Sequence, residues 1–445
     1  MFDQIPVHAG HWFMGSAREL FPHIHRFIAR IAARYGGIVR FRIFNRVVYA
    51  TVRPEDAQRI LVDNVDGYIK SFHYRNVITG EGLLASSGDT WRQHRRKVQR
   101  SFKRASLQPV VKIAAEECEA TLKHWPNLQD TDGIIDVIPE MRAIALRAMA
   151  RALLGYDLTL NYSAQLQKNL MQGMAAVGRR NNGAALPLWL PTPTNRTIKR
   201  VSKALKDTLL TEVAQRRKAI RTGAPTPGGM IDKYVGDEEL TDLEVYDETA
   251  TLFVAGFETS ATALAWTLAM LARNPDVTDA CCREIDNLLN GRQVTANDLP
   301  SLPMITAVYE ETLRLYPPIV QVGRESIDND ELSGYALPKG STIIISFFGL
   351  HRSPDLWDRP DTFDPSRFLP ERRHEVPTNA YYPFGLGRRT CIGNYFAYQE
   401  QIAILTTILQ RYRLENPPGT MINEALRLTL QPGTELPLRL ISRLK

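Results

Sequence analysis

Residues Tyr382–Ala397 read YPFGLGRRTCIGNYFA, and the reading of the whole chain turns on this stretch. A lone cysteine, Cys391, stands between a glycine-rich loop and an amphipathic helix that the periodicity predicts from about Ile392 to Arg411. At a helix start, backbone N–H groups and the positive end of the helix dipole favour thiolate over thiol. Gly385, Gly387 and Gly393 let the backbone approach a large flat ligand closely, and Arg389 can reach an anionic group on it. The plainer alternative is a buried structural cysteine at a loop–helix junction.

Cys118, Cys281 and Cys282 have no comparable surroundings. Cys281 and Cys282 are adjacent and no C-x-x-C pair occurs, so neither a disulfide framework nor a zinc knuckle is expected. A reducing, cytoplasmic setting follows. The 445 residues are 44% hydrophobic and 23% charged, which excludes general disorder and predicts a soluble globular chain. No run approaches the roughly 18 continuous apolar residues that span a bilayer. The N-terminus lacks a charged-then-apolar signal pattern, so no transmembrane anchor is expected. The net charge of +7, from 55 basic and 48 acidic residues, suits an acidic partner but is too mild to imply nucleic acid.

Outward from the loop, helical periodicity dominates. IVRFRIFNRVVYATV, from Ile38 to Val52, alternates about a break at Asn45 and predicts a β hairpin. Pro54 then opens a helix with acids in its first turn. The longest helical stretch starts at Thr241, with Glu244 three residues on as a capping box. It stops at Asn274-Pro275 after a rod of roughly 50 Å. Beyond Pro317 short strands and Pro-rich irregular segments take over, and the tail alternates again. With no repeat and no composition break, the expectation is one large domain, mainly α with a small β region.

The pattern Phe384-x-x-Gly387-x-Arg389-x-Cys391-x-Gly393 resembles the haem-binding loop of the cytochrome P450 family, the haem-thiolate monooxygenases. Three further segments carry the same resemblance in the expected order. Glu311-Thr312-Leu313-Arg314 is similar to the family's E-x-x-R; on residue types alone it is an ordinary i, i+3 ion pair. The resemblance implies a structural triad of Glu311, Arg314 and Arg367, the last in FDPSRF. Ala255-Gly256-Phe257-Glu258-Thr259-Ser260 puts a glycine, an acid and two hydroxyls inside the long helix. A helix-interior glycine costs about 1 kcal/mol against alanine, and buried polar groups are costly unless used. A kink with Thr259 bonded back to the preceding turn is one account. The resemblance implies that Glu258 and Thr259 relay protons to dioxygen. Trp91 and Arg95 match the family's W-x-x-x-R and, with Arg324, are implied partners of the haem propionates.

The resemblance covers essentially the whole chain and implies the cytochrome P450 fold in a soluble, bacterial, monomeric member. Its implied regions are the hairpin at 38–52, a central helix at 241–274, and the haem loop with its helix at 382–411. Haem b (iron protoporphyrin IX) is the implied cofactor, with Cys391 as axial iron ligand and O2 as co-substrate. Electrons would come from NAD(P)H through a separate acidic ferredoxin or flavodoxin-type protein. That donor would dock on a basic proximal face bearing Arg92, Arg95, Arg96, Lys97, Arg100 and Arg388. From Trp91 to Lys112 there are eight Lys/Arg and no acid.

The implied reaction inserts one oxygen atom into a C–H bond of a hydrophobic small molecule, a fatty acid, terpenoid or steroid. By analogy the pocket is lined by Val77, Leu83 and Leu84 in one loop and by Val254 and Ala255 on the long helix. Ile319, Val320 and Val322 after the E-x-x-R helix, with Pro432 and Gly433 in the tail, complete it. A peroxide-using haem-thiolate enzyme would carry an Arg-Pro arrangement in place of Glu258-Thr259. A non-enzymatic haem sensor needs neither relay nor electron partner. A basic interaction protein unrelated to haem leaves the Cys391 loop unexplained.

Overall fold

Thr241 caps the longest helix, Asp242–Arg273: its hydroxyl accepts from the Glu244 N–H, and the Glu244 carboxylate accepts from the Thr241 N–H. Pro275 starts the next helix, Pro275–Leu289, so the rod ends at Asn274. From Val245 to Ala272 this helix is buried except at Ala255, Gly256 and Thr259. By length and composition it could cross a membrane, with a mean hydropathy of 1.2 over its most apolar stretch, of which 78% is buried inside the protein. Core burial accounts for that apolarity.

The computed structural model describes residues 4–21, 23–71, 79–125, 133–158, 160–182 and 187–443. Helix makes up 54% of the protein and strands a small share, the mainly α architecture expected. Packing divides the chain into two units. One comprises Met1–Phe72, Thr306–Cys391 and Glu424–Gln431; the other comprises His73–Ile305, Ile392–Asn423 and Pro432–Lys445.

The first unit is built on a five-stranded sheet. Ile38–Ile43 pairs antiparallel with Arg46–Thr51, which runs parallel to Thr342–Ser346; Gln321–Ser326 and Tyr68–Lys70 follow in order. Side chains alternate across each strand, so the sheet carries two apolar layers. Phe41 and Ala50 pack with Phe27, Ile28 and Ile31 of the helix Ile24–Arg34. Ile38, Tyr49, Ile343 and Ile345 pack on the other side with Ile60, Leu61 and Phe347.

The second unit is helical. Helix Val137–Met149 lies along the long helix, and helix Arg104–Leu122 lies along Asn394–Arg411. A small antiparallel sheet orders Ile134–Asp136, Pro437–Ser442 and Tyr412–Glu415. Gly256 has its reason here: a Cβ at that position would fall 2.1 Å from Cε of Met149. The missing side chain brings the two helices together beside the acid–hydroxyl pair.

Candidate active site

Cys391 is the exposed one among the four free cysteines. Burial pushes the thiols of Cys118, Cys281 and Cys282 upward, which keeps them protonated and inert. The loop ahead of Cys391 is held by its own backbone. The Cys391 N–H donates to Phe384 O at 2.9 Å, and Thr390 N–H donates to Gly387 O at 3.0 Å. Cys391's own N–H is therefore committed to the loop rather than to its sulfur. Gly387 sits at φ +72°, where a Cβ would come 2.1 Å from Leu61 O; close packing within the unit explains this glycine without any ligand. Gly385, at φ +76°, borders open space. Arg389 is half-buried in the short turn Gly387–Arg389, and Gly393 caps the helix Asn394–Arg411.

Glu311, Arg314 and Arg367 meet in the first unit. Arg314 forks onto Glu311 with Nε–Oε2 of 2.7 Å and Nη2–Oε1 of 2.8 Å, while Arg367 Nε stands 3.6 Å from Oε1. The Asp364 N–H adds a bond to Oε1 at 2.9 Å. Arg314 also donates to the carbonyls of His351, Pro360 and Thr362, and lies over the Trp357 ring. Burial pushes the Glu311 carboxyl upward, against which the Arg314 fork works. His351 is buried and held neutral, pushed down to about 3, with Nε2 accepting from the Tyr382 N–H. His351 and Trp357 have no local signal in the sequence as members of this network.

In the second unit, Ala255, Gly256 and Thr259 form the one opening in an otherwise buried stretch of helix. The Thr259 hydroxyl donates to Ala255 O at 2.7 Å, so its proton is used and its lone pairs face outward as acceptors. Glu258 is buried, with Oε2 at 3.6 Å from Nε of Arg142 on the neighbouring helix. The sequence held no sign of Arg142. Ser260 donates to Glu400 of the helix Asn394–Arg411, and Gln401 donates back to Ser260 O at 3.2 Å.

Trp91 and Arg95 lie half-buried on one side of the helix Gly88–Val98. Arg324 is buried in its strand, where it pairs with Lys70 and Ile343. The basic run is less uniform than its composition suggests. Lys97 is bound to Asp237 and Glu239, and Arg92 to Asp89. Arg388 stands 3.2 Å from Asp66.

The pocket candidates divide. Leu84, Ala255 and Ile319 are exposed, whereas Leu83 and Val254 are nearly covered. Val320 packs in a cluster with Phe348 and Leu430, and Val322 packs against the sheet core, so each serves a packed cluster of the first unit. Pro432 is buried and Gly433 half-buried in the tail turn. Val77 lies outside the described residues.

Residues 5–436 match a family profile described as "Cytochrome P450". The chain belongs to the cytochrome P450 family. This P450 is 34% identical to "Cyclooctatin synthase" of Streptomyces melanosporofaciens over 444 residues, covering 97% of the chain and 93% of the relative. It is 31% identical to "Cyclooctat-9-en-7-ol 5-monooxygenase" of the same organism, covering 92% and 89%. It is also 29% identical to "Pentalenene oxygenase" of Streptomyces avermitilis, covering 97% and 95%. The solved cytochrome P450DA heme domain aligns with a TM-score of 0.88 at 22% identity, covering 100% of this chain and 98% of that one. That likeness establishes the fold.

Membership makes the protein a P450 monooxygenase, an oxidoreductase that uses haem and O2. The residues present suit that cofactor. An exposed thiol on a backbone-locked loop is the donor that haem iron of this type needs. Arg95 and Arg324 are guanidinium groups of the type that forks carboxylates, and the long helix is uncovered at Ala255, Gly256 and Thr259 while Glu258 stays buried.

Proposed function

We propose that this P450 hydroxylates a hydrophobic ring terpenoid, inserting one oxygen atom of O2 into a C–H bond with electrons from a separate ferredoxin or flavodoxin-type donor. The observation that carries the reading is the opening at Ala255, Gly256 and Thr259 in a buried helix, beside a buried ionic acid. Relatives named for cyclooctat-9-en-7-ol, a ring alcohol, and for pentalenene, each aligned over more than nine-tenths of this chain, support a ring terpenoid.

When bound, haem supplies the activation of O2 and the attack on an unreactive C–H bond. Cys391 would hold the iron as thiolate. Phe384, Gly387, Arg389 and Gly393 shape or flank its loop, while Trp91, Arg95 and Arg324 would hold the propionates. Thr259, its own proton given to Ala255 O, accepts a hydrogen bond from an incoming water and orients it. Glu258, anchored by Arg142, takes a proton at its carboxylate and passes it on. Apolar Leu83, Leu84 and Ala255 exclude bulk water around an apolar substrate. A cytoplasmic site of action suits four cysteines that are all free.

The reduced, CO-bound protein tests the assignment: a Soret band far to the red reports thiolate ligation. Cys391→Ala should abolish that band, and changes at Cys118, Cys281 or Cys282 should leave it in place. A band that survives Cys391→Ala would refute the ligand. Turnover of a ring hydrocarbon with the electron donor, rather than with peroxide alone, separates the monooxygenase from a peroxide-using enzyme. A sensor would give no product in either case.

A further inference from the structure

Three elements of the second unit meet at one buried carboxylate, Glu248 on the long helix. Oε1 receives His94 Nδ1 at 2.8 Å, and Oε2 receives the Leu83 N–H at 3.1 Å. His94 lies on the helix of Trp91 and Arg95, and its Nε2 reaches Glu244 at 3.3 Å. The bond to Glu248 raises the His94 imidazole above its usual range, which favours its charged form.

The chain around Leu83, Thr79-Gly80-Glu81-Gly82-Leu83-Leu84, is shaped to lie on this helix. The Glu81 N–H donates to Asp247 at 3.1 Å, and Thr251 donates to Thr79 at 3.3 Å. A Cβ on Gly80 would fall 1.9 Å from Oδ1 of Asp247, and one on Gly82 would fall 2.5 Å from Oγ1 of Thr251. Asp247, Thr251, Ala255 and Thr259 recur every four residues and so follow one side of the helix. The loop therefore covers the same side that opens at Ala255 and Thr259, about 12 Å further along at 1.5 Å per residue.

We propose that Glu248 is a positioning residue for substrate selectivity, clipping the Thr79–Leu84 loop to the long helix and fixing where Leu83 and Leu84 stand toward the substrate. The proposal rests on the reading above that the opening at Ala255 receives the substrate. A carboxylate held by the His94 ring and by a loop N–H locks the loop without itself touching the substrate. The reacting C–H bond is then selected by apolar side chains on a fixed backbone.

The test uses the haem-loaded protein. In Glu248→Ala, hydrogen exchange in a peptide spanning residues 79–87 should quicken at least about tenfold, whereas Glu248→Gln, still able to accept from Leu83, should stay within about threefold. Spin-state titrations with ring hydrocarbons of graded size should show the alanine variant losing about tenfold of the ratio between best and next-best dissociation constants. Imidazole, which reads the iron alone, should bind as before. Glu248→Asp withdraws the oxygen from Leu83 while keeping the charge, and carries the same expectations should the alanine variant not hold haem.

A loop that stays protected in these variants overturns the clip. A loosened loop with unchanged size ratios, or an imidazole constant that moves in step, overturns the role in selectivity. If no ring hydrocarbon shifts the wild-type spin state, the terpenoid reading fails by itself. Exchange then still reads the clip, and a fatty-acid series of graded length reads selectivity.

Discussion

Ser260, next to the candidate relay threonine, donates its hydroxyl proton to Glu400, nine residues past Cys391 in the chain. Glu400 is fully buried, and burial pushes its carboxyl from 4.5 up to about 8; Ser260 and Gln401 oppose the shift. The acid is thus protonated in the folded protein at pH values where the unfolded chain has lost the proton. The folded state holds the extra proton between about pH 4.5 and about 8, so over that window this group makes stability fall as pH rises. Glu400→Gln should remove its part of the slope. Thermal midpoints of both proteins, measured across that window, check this, and equal slopes would show that Glu400 is already ionised when folded.

The Glu311–Arg314 pair is a second buried investment. Both side chains are fully buried, and Arg367 stands beside them. Glu311→Ala strands two guanidinium groups in the interior and should cost about 3–5 kcal/mol, the range for breaking a buried pair from one side. Urea unfolding of the holoprotein measures it. A loss below about 1 kcal/mol would place the pair with surface bridges. The double variant Glu311→Ala/Arg314→Ala should lose less than the sum of the two singles, since no lone charge remains.

What was legible in the sequence was local. Thr241 and Glu244 sit three residues apart, and the helix they cap ends at the proline the sequence shows. Glu311 and Arg314 share a helix face by spacing alone, but their bond to Asp364 and approach to Arg367 needed either a family pattern or a structure. Glu400 was hidden: Gln-Glu-Gln inside an amphipathic helix reads as a solvent face, and its burial comes from helices distant in sequence, one of which supplies Ser260. His94 was hidden by its neighbours, since one imidazole in a run of arginines looks like more positive charge. Its partner Glu248 lies on another helix. The same nonlocality neutralises Lys97, whose partners Asp237 and Glu239 lie far along the chain. Spacing rules reach about one helical turn, and these contacts lie well beyond it.

Thr259→Ala should uncouple the reaction. The hydroxyl donates its hydrogen bond to Ala255 O, so on the proposed reading what the variant removes is an acceptor for water at the helix opening. Product per NAD(P)H consumed should fall by up to about a hundredfold, the lower end of the range for a positioned proton-transfer group, with hydrogen peroxide rising as product falls. Haem content and the CO spectrum should be unchanged. Wild-type coupling in this variant would leave Thr259 as a helix-bending threonine only.

The electron donor supplies the last prediction. Of the basic run, Lys97 and Arg92 already serve internal acids, which leaves the exposed Arg96 and Arg100 as the charges a partner would read. An acidic ferredoxin or flavodoxin-type protein would be steered to them by charge more than by apolar burial. Arg96→Glu/Arg100→Glu should slow reduction by such a partner about tenfold at low ionic strength. The difference should shrink as salt brings the Debye length to about 8 Å. Reduction by dithionite, which needs no docking, should be unaffected. Lys97 is unsuited to the test because reversing it would also break its bonds to Asp237 and Glu239. If the double reversal leaves both the partner-driven rate and its salt dependence as in the wild type, the donor docks on a different surface.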